Sequence, residues 1–187
     1  ETMSQLVNDM LDLAKIQAGK VSLYPEKIGI EDIISGLRGM FRPLAQNPAV
    51  SLIFEPLDKN LPMAFTDEGK VSQILRNFIS NAMKFTEKGN VTVSAKLDAG
   101  RDMLIFEVRD TGIGITAEDQ SRIFEEFSQI RNSLQKKAKG TGLGLSVAKK
   151  LAELLGGSVS LVSVPGEGSS FILEIPRVLP GSEINAA

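Results

Sequence analysis

Val71, Ile74, Leu75, Phe78, Ile79, Ala82 and Met83 recur at i, i+3, i+4 and i+7 along one stretch of the chain. At ~100° per residue they fall on one arc, which predicts an amphipathic helix over 68–85. Leu6, Met10, Leu13 and Ile16 keep helical spacing over 4–18 and stop at Gly19, a natural helix end. With so little chain before it, that stripe predicts a partner helix in another subunit or in a further part of the protein. Helices are also predicted over 30–47, 117–123 and 144–155, the last closed by Gly156 and Gly157. Alternating or continuous apolar runs predict strands at 21–28, 50–55, 90–97, 103–109, 158–164 and 169–175. Asp98-Ala99-Gly100-Arg101 and Pro165-Gly166-Glu167-Gly168 are hairpin turns by composition. Residues 128–143 lack apolar periodicity and are expected to form a mobile loop, and a short polar tail after Pro176 is expected to be disordered. Helices mixed with antiparallel hairpins predict an α+β fold, a two-layer sandwich with helices on one sheet face.

Composition narrows the chemistry. A chain of 187 residues, 42% hydrophobic and 24% charged, suits one ordinary globular domain. It has no cysteine and no histidine, which removes thiol chemistry, Ser-His-Asp catalysis and nearly every zinc site. No apolar run reaches the ~20 residues of a membrane span, and the first residues lack the basic start and apolar core of a signal peptide. The net charge of −2 argues against a generally basic nucleic-acid binder. That charge is segregated. Residues 127–150 hold six basic residues (Arg131, Lys136, Lys137, Lys139, Lys149, Lys150) and no acid, leaving fifteen basic against all 23 acidic residues elsewhere.

Three clusters could carry chemistry. On the predicted helix 68–85, Asn77, Asn81 and Lys84 fall within ~60° of one another, beside the apolar arc. A solvated polar face is the bland explanation, but asparagine is a mediocre helix former. Two amide oxygens at one spot suit Mg²⁺ with water, and a nearby ammonium suits phosphate. The second cluster is Asp110 at a strand end, followed by Gly112 and Gly114, a turn that lets backbone approach a ligand. Residues 112–117 also fit a dinucleotide-binding fingerprint, but Asp110 stands where a pyrophosphate would need to come. A carboxylate there suits an exocyclic amine instead. Third, Gly140-Thr141-Gly142-Leu143-Gly144 opens a helix amid the basic stretch, which makes an anion site suited to polyphosphate, though it is not a Walker A motif. Phe124 and Phe127 at i, i+3 would alone be ordinary packing.

Together these segments resemble the sensor histidine kinases. Asn77 to Thr86 (NFISNAMKFT) looks like their N box, Asp110 to Gly114 the G1 box, Phe124 to Phe127 the F box, and Gly140 to Gly144 the G2 box. Gly166 to Ser169 looks like the last glycine box, and residues 4–20 are similar to the end of the second helix of the dimerisation and phosphoacceptor hairpin. The resemblance implies a two-layer α/β sandwich of the GHKL ATPase (Bergerat) type, shared with gyrase B, MutL and the large heat-shock chaperones. It implies a hairpin remnant at 1–20, an ATP-binding catalytic domain at 21–176 and a tail or linker at 177–187. The implied cofactors are ATP and Mg²⁺. Asp110 would bond the adenine amine, Asn81 with Asn77 would hold Mg²⁺, and Asn77 and Lys84 would serve the transfer. Residues 128–139 would form a lid, with Arg131 and Lys136 on phosphate. Gly140, Gly142 and Gly144 would admit the phosphates, and Gly112, Gly114, Ile115, Phe127, Thr141, Leu143 and Ser169 complete the implied nucleotide contacts.

The implied reaction moves the γ-phosphoryl of ATP to a histidine on the hairpin, and then on to a receiver-domain aspartate. The parent is expected to be a homodimer, with this part cytoplasmic and touching neither membrane nor nucleic acid. The alternatives are a self-contained ATPase driving a conformational cycle, a dinucleotide-dependent oxidoreductase and a non-catalytic nucleotide sensor. The related ATPases place a glutamate base where Asn77 stands, which favours transfer over hydrolysis. The oxidoreductase leaves Asn77, Asn81, Lys84 and the basic stretch unexplained.

Overall fold

The computed structural model describes residues 3–43, 48–128 and 141–181. Helix α1 (Met3–Gln17) leads through an extended segment to β1 (Glu26–Ile28), α2 (Ile30–Phe41), β2 (Val50–Phe54), β3 (Ala64–Thr66) and α3 (Glu68–Phe85). The hairpin β4 (Gly89–Asp98) and β5 (Met103–Asp110) follows, then α4 (Ala117–Gln120), α5 (Gly144–Leu154) and the hairpin β6 (Ser158–Val164) and β7 (Gly168–Pro176). The main sheet has the order β2-β4-β5-β7-β6. Only the β2–β4 pair is parallel.

The predicted arc of α3 forms the centre of the core. Val71, Ile74, Leu75, Phe78, Ile79 and Ala82 are all buried, and Phe78 lies 5.4 Å, centroid to centroid, from Phe171 of β7. The facing side of the sheet supplies Val91, Val93, Leu104, Phe106, Val108, Leu173 and Ile175. Alternation on β5 therefore puts Asp110 on the same inner face as Val108, at the end of the sheet. Helices α2 and α5 complete the layer with Ile33, Ile34, Leu37, Val147 and Leu151.

Local chemistry explains where the elements differ from expectation. The strand expected over 21–28 is confined to Glu26–Ile28. The Tyr24 amide is taken by the Asp67 carboxylate at 2.9 Å, and Pro25 has no N–H to give a ladder. Asp67 also caps α3 by accepting from the Lys70 amide at 3.0 Å, so one buried carboxylate fixes both the helix start and the segment crossing it. The helix expected to 47 ends at Phe41, just before Pro43, which cannot extend it. In 117–123 only Ala117–Gln120 is α-helical.

The tail expected to be disordered is partly docked. Phe65 of β3 bonds the tail on both sides of Val178, with its N–H on Arg177 O and its carbonyl accepting the Leu179 N–H, both 2.8 Å. Arg177 clamps Asp102 at 2.7 and 3.0 Å, and the Leu179 side chain is buried. The residues just past 176 thus pack with the domain. Leu179→Ala is expected to cost about 2–3 kcal/mol, the low end for a buried leucine because the site is at the surface, with an unchanged denaturant m-value.

Candidate functional site

The polar residues picked out on α3 meet the glycine-rich turn before α5. Asn81 Nδ2 donates to Asn77 Oδ1 at 3.0 Å. That bond uses one lone pair of the Asn77 oxygen and does not engage the Asn81 oxygen. Asn77 in turn lies against Gly144, where a Cβ would fall 2.1 Å from Asn77 Nδ2. Any side chain at 144 would displace the amide. The glycine therefore sets how closely α3 and the N-terminus of α5 approach, and the two predicted clusters form one wall.

Asp110 stands at the end of β5. It is 5% exposed, and its Oδ1 accepts the Gly112 amide at 2.8 Å, with the Ser169 backbone amide of the paired strand close to the carboxylate. Burial raises its pKa above the usual carboxylate range, against the pull of those two amides. A buried carboxylate with no ion-pair partner among the described residues retains acceptor capacity for an incoming donor. Gly112 touches the end of α3, where a Cβ would fall 2.4 Å from Phe85 O. Gly114 has φ +65° and rests on the Val164 carbonyl. The turn 112–115 is thus wedged between α3 and the β6–β7 hairpin.

Other expected site residues are placed as follows. Ser169 is buried on β7, directly opposite Asp110 in the strand register. The Ile115 amide donates to Ser163 Oγ at 2.8 Å. Thr141 Oγ1 accepts the Leu143 amide at 3.2 Å and donates to Asp9 of α1 at 3.2 Å. Leu143 is wholly buried, at the N-cap of α5. Gly142, at φ +72°, packs on the backbone of Phe127 and Ser128. Phe127 itself has φ +58° and a 60% exposed side chain. Lys84 Nζ lies 5.2 Å from the Phe85 ring centroid. Arg131, Lys136 and Gly140 lie outside the described residues, as does nearly all of the expected lid.

Two side chains at the site escaped the sequence reading. Gln120 Nε2 donates to Ile115 O at 2.8 Å and to Ser163 O at 2.9 Å, and Ser163 itself touches Ser169 at 2.9 Å. The available signal was Ser163 in the half-buried row with Val159 and Leu161, a hydroxyl where alternation calls for an apolar residue.

Residues 66–179 match the family model of the "Histidine kinase-, DNA gyrase B-, and HSP90-like ATPase". The chain belongs to that family. Similar curated proteins are sensor kinases. The autoinducer 2 sensor kinase/phosphatase LuxQ of Vibrio parahaemolyticus is 36% identical over 94% of this chain and 21% of its own length. The aerobic respiration control sensor protein ArcB of Escherichia coli K12 is 36% identical over the whole chain and 24% of its own length. The chain thus spans about a quarter or less of these relatives. Among solved structures, full-length ShkA in complex with AMPPNP has a TM-score of 0.81 at 34% identity, covering 92% of this chain and 35% of that one. The nucleotide-free catalytic domain of the histidine kinase ThkA, at 24% identity, shares the fold with a TM-score of 0.70, over 83% of this chain and 97% of that one. The fold is the expected GHKL two-layer sandwich, and the domain is of the ATP-binding catalytic type found in sensor histidine kinases.

Proposed function

We propose that this domain binds ATP between Asp110 and the Asn77–Gly144 wall and delivers its γ-phosphoryl group to a histidine on a dimerisation hairpin. A receiver-domain aspartate is the onward acceptor. The observation that carries the reading is Asp110, a buried carboxylate beside a glycine turn, held by the Gly112 amide and without an ion-pair partner among the described residues. It suits the amino group of adenine. The N-terminus of α5, with Gly142 and Gly144, suits the phosphates.

The donor chemistry fits Mg²⁺. No group of three or more carboxylates able to hold a metal exists among the described residues, so neutral amide oxygens from Asn81 and Asn77 would combine with nucleotide phosphates and water. The ion would neutralise charge on the phosphate oxygens. Asn77 has no basic oxygen able to take a proton from water, which favours transfer over hydrolysis.

Helix α1 supports the hairpin assignment. Leu13 is buried and Ile16 partly so against the domain, while Val7, Met10 and Leu11 stay 46%, 48% and 51% exposed. Asp12 accepts from Gln73 at 2.7 Å and Gln17 bonds Glu126 at 3.1 Å, so the inner side of α1 is seated while its outer side could pack on another helix. A homodimer built on that hairpin and a cytoplasmic position for this domain belong to the same proposal. No helix among the described residues is long and apolar enough to cross a membrane.

The test is calorimetric titration with Mg-ADP, followed by radiolabelled Mg-ATP. With no histidine in its 187 residues, the chain alone is expected to acquire no phosphohistidine, whereas a supplied hairpin from its own parent is expected to be labelled. Absence of ADP binding would end the proposal. Asn81→Ala is expected to remove most of the Mg²⁺ dependence of nucleotide binding while leaving metal-free binding nearly intact. Equal Mg²⁺ dependence in variant and parent would sink the metal assignment.

A further inference from the structure

Four strands place one residue each in a row across the inner end of the sheet: Val91, Asp110, Ser169 and Ser163. The last three are polar and connected. Ser163 Oγ accepts the Ile115 amide at 2.8 Å, donates to Gly168 O at 2.8 Å and lies 2.9 Å from Ser169 Oγ. A hydroxyl has one proton and two lone pairs. The Ser163 proton goes to the Gly168 carbonyl, which can only accept. One Ser163 lone pair is used by the Ile115 amide. The contact with Ser169 must then run from Ser169 to Ser163, because Ser163 has no second proton to give. Ser169 thereby commits its own proton inside the sheet and can only accept from anything entering beside Asp110.

We propose that Ser163 is a positioning residue for base selectivity: by fixing Ser169 as an acceptor it makes the base end of the site accept-only, so that a 6-amino purine is preferred over a 6-oxo purine. Asp110 supplies the other acceptor, and the Gly112 amide is already turned inward to its carboxylate. A 6-oxo group would face lone pairs from both residues. Ser163 need not touch the nucleotide. Gln120 adds rigidity by holding the Ser163 and Ile115 carbonyls together. The inference rests on the nucleotide reading above and deepens it.

The experiment titrates the whole chain with Mg-ADP and Mg-IDP, which differ at the 6-position and the adjoining ring proton. The parent is expected to prefer ADP. In Ser163→Ala the Ser169 proton is released to face the ligand, and the ADP-to-IDP affinity ratio is expected to fall about three- to tenfold, the worth of one neutral hydrogen bond. Ser163→Thr keeps the hydroxyl and is expected to keep the ratio. If the alanine variant fails to fold, Ser163→Cys, with a weak donor and a weak acceptor, is expected to lower the ratio in the same direction. A ratio unchanged in the folded alanine variant, or in the cysteine variant where alanine does not fold, would reduce Ser163 to packing and overturn the proposal even where both nucleotides bind more weakly. A parent that binds neither nucleotide overturns the nucleotide reading and this inference with it. A parent that binds both equally overturns the selectivity while leaving nucleotide binding in place.

Discussion

Asp110→Asn is expected to weaken Mg-ADP binding by about tenfold to a hundredfold, with the chain still folded. A hydrogen bond to a charged acceptor is worth about 1.5–3 kcal/mol, which converts to that range. The amide also turns a donor toward an amine that itself donates, or toward the Gly112 amide that now donates to the carboxylate. Preference for adenine over hypoxanthine is expected to drop together with affinity. Unchanged ADP affinity would show that Asp110 does not meet the base. The same substitution carries a pH signature independent of ligand. Burial raises the Asp110 pKa in the folded state above its ordinary value of 3.8, so the folded protein binds this proton more readily than the unfolded chain does. The stabilising contribution of that proton is fully present below the unfolded pKa and is lost as pH rises through the folded one. Relative to the asparagine variant, the parent is therefore expected to lose stability over that window and run parallel to it above. Denaturant melts of both proteins across the acid range measure the difference directly, and a gap that widened in favour of the parent with rising pH would contradict the burial argument.

What the sequence made legible follows from the range of the interactions involved. Helix α3 was readable over 68–85 because an apolar arc and its neighbouring polar stripe are local patterns, and Asn77 and Asn81 share a face through helix geometry alone. Strand β6 was equally readable by alternation. Strand β3 was not. Its three residues follow Pro62, are too short to alternate, and owe their extended form to pairing with β1 on one side and Val178 on the other. Leu179 was misread for the same reason: a polar tail has one buried leucine only because a partner strand far away in sequence receives it. The glycine and asparagine clusters were each visible singly. That Gly144 abuts Asn77, or that Thr141 bonds Asp9 across 132 positions, depends on α1, α3 and α5 meeting in three dimensions. Ser163 illustrates the intermediate case, a polar residue in an apolar row whose oddity is local and whose explanation, the hydroxyl of Ser169, lies on the neighbouring strand.

Gly168→Ala is expected to cost about 2–6 kcal/mol and to abolish measurable ADP binding at concentrations that saturate the parent. Two terms add. The residue has φ +117°, a region where a non-glycine residue costs about 1–3 kcal/mol. Its Cβ would fall 2.0 Å from Asp110 O and 2.9 Å from Thr111 Cα, so the atoms in the way are backbone and cannot rotate aside. Forcing strands apart by such a clash adds about 1–3 kcal/mol. The displaced strand is the one carrying Asp110, and the Gly168 carbonyl is the acceptor that fixes the Ser163 proton, so loss of the base site accompanies loss of stability. Two sister glycines separate the causes. Gly166, in the turn between β6 and β7, has φ +83° with nothing near its Cβ position, and Gly166→Ala is expected to cost only the strain of about 1–2 kcal/mol with ADP affinity kept. Gly36 lies within α2 with open space and no positive φ, so Gly36→Ala is expected to stabilise by about 0.5–1 kcal/mol. Denaturant midpoints at constant m-value order the three variants. If Gly168→Ala were no more costly than Gly166→Ala, the close approach of β7 to the Asp110 backbone would not be what shapes the site.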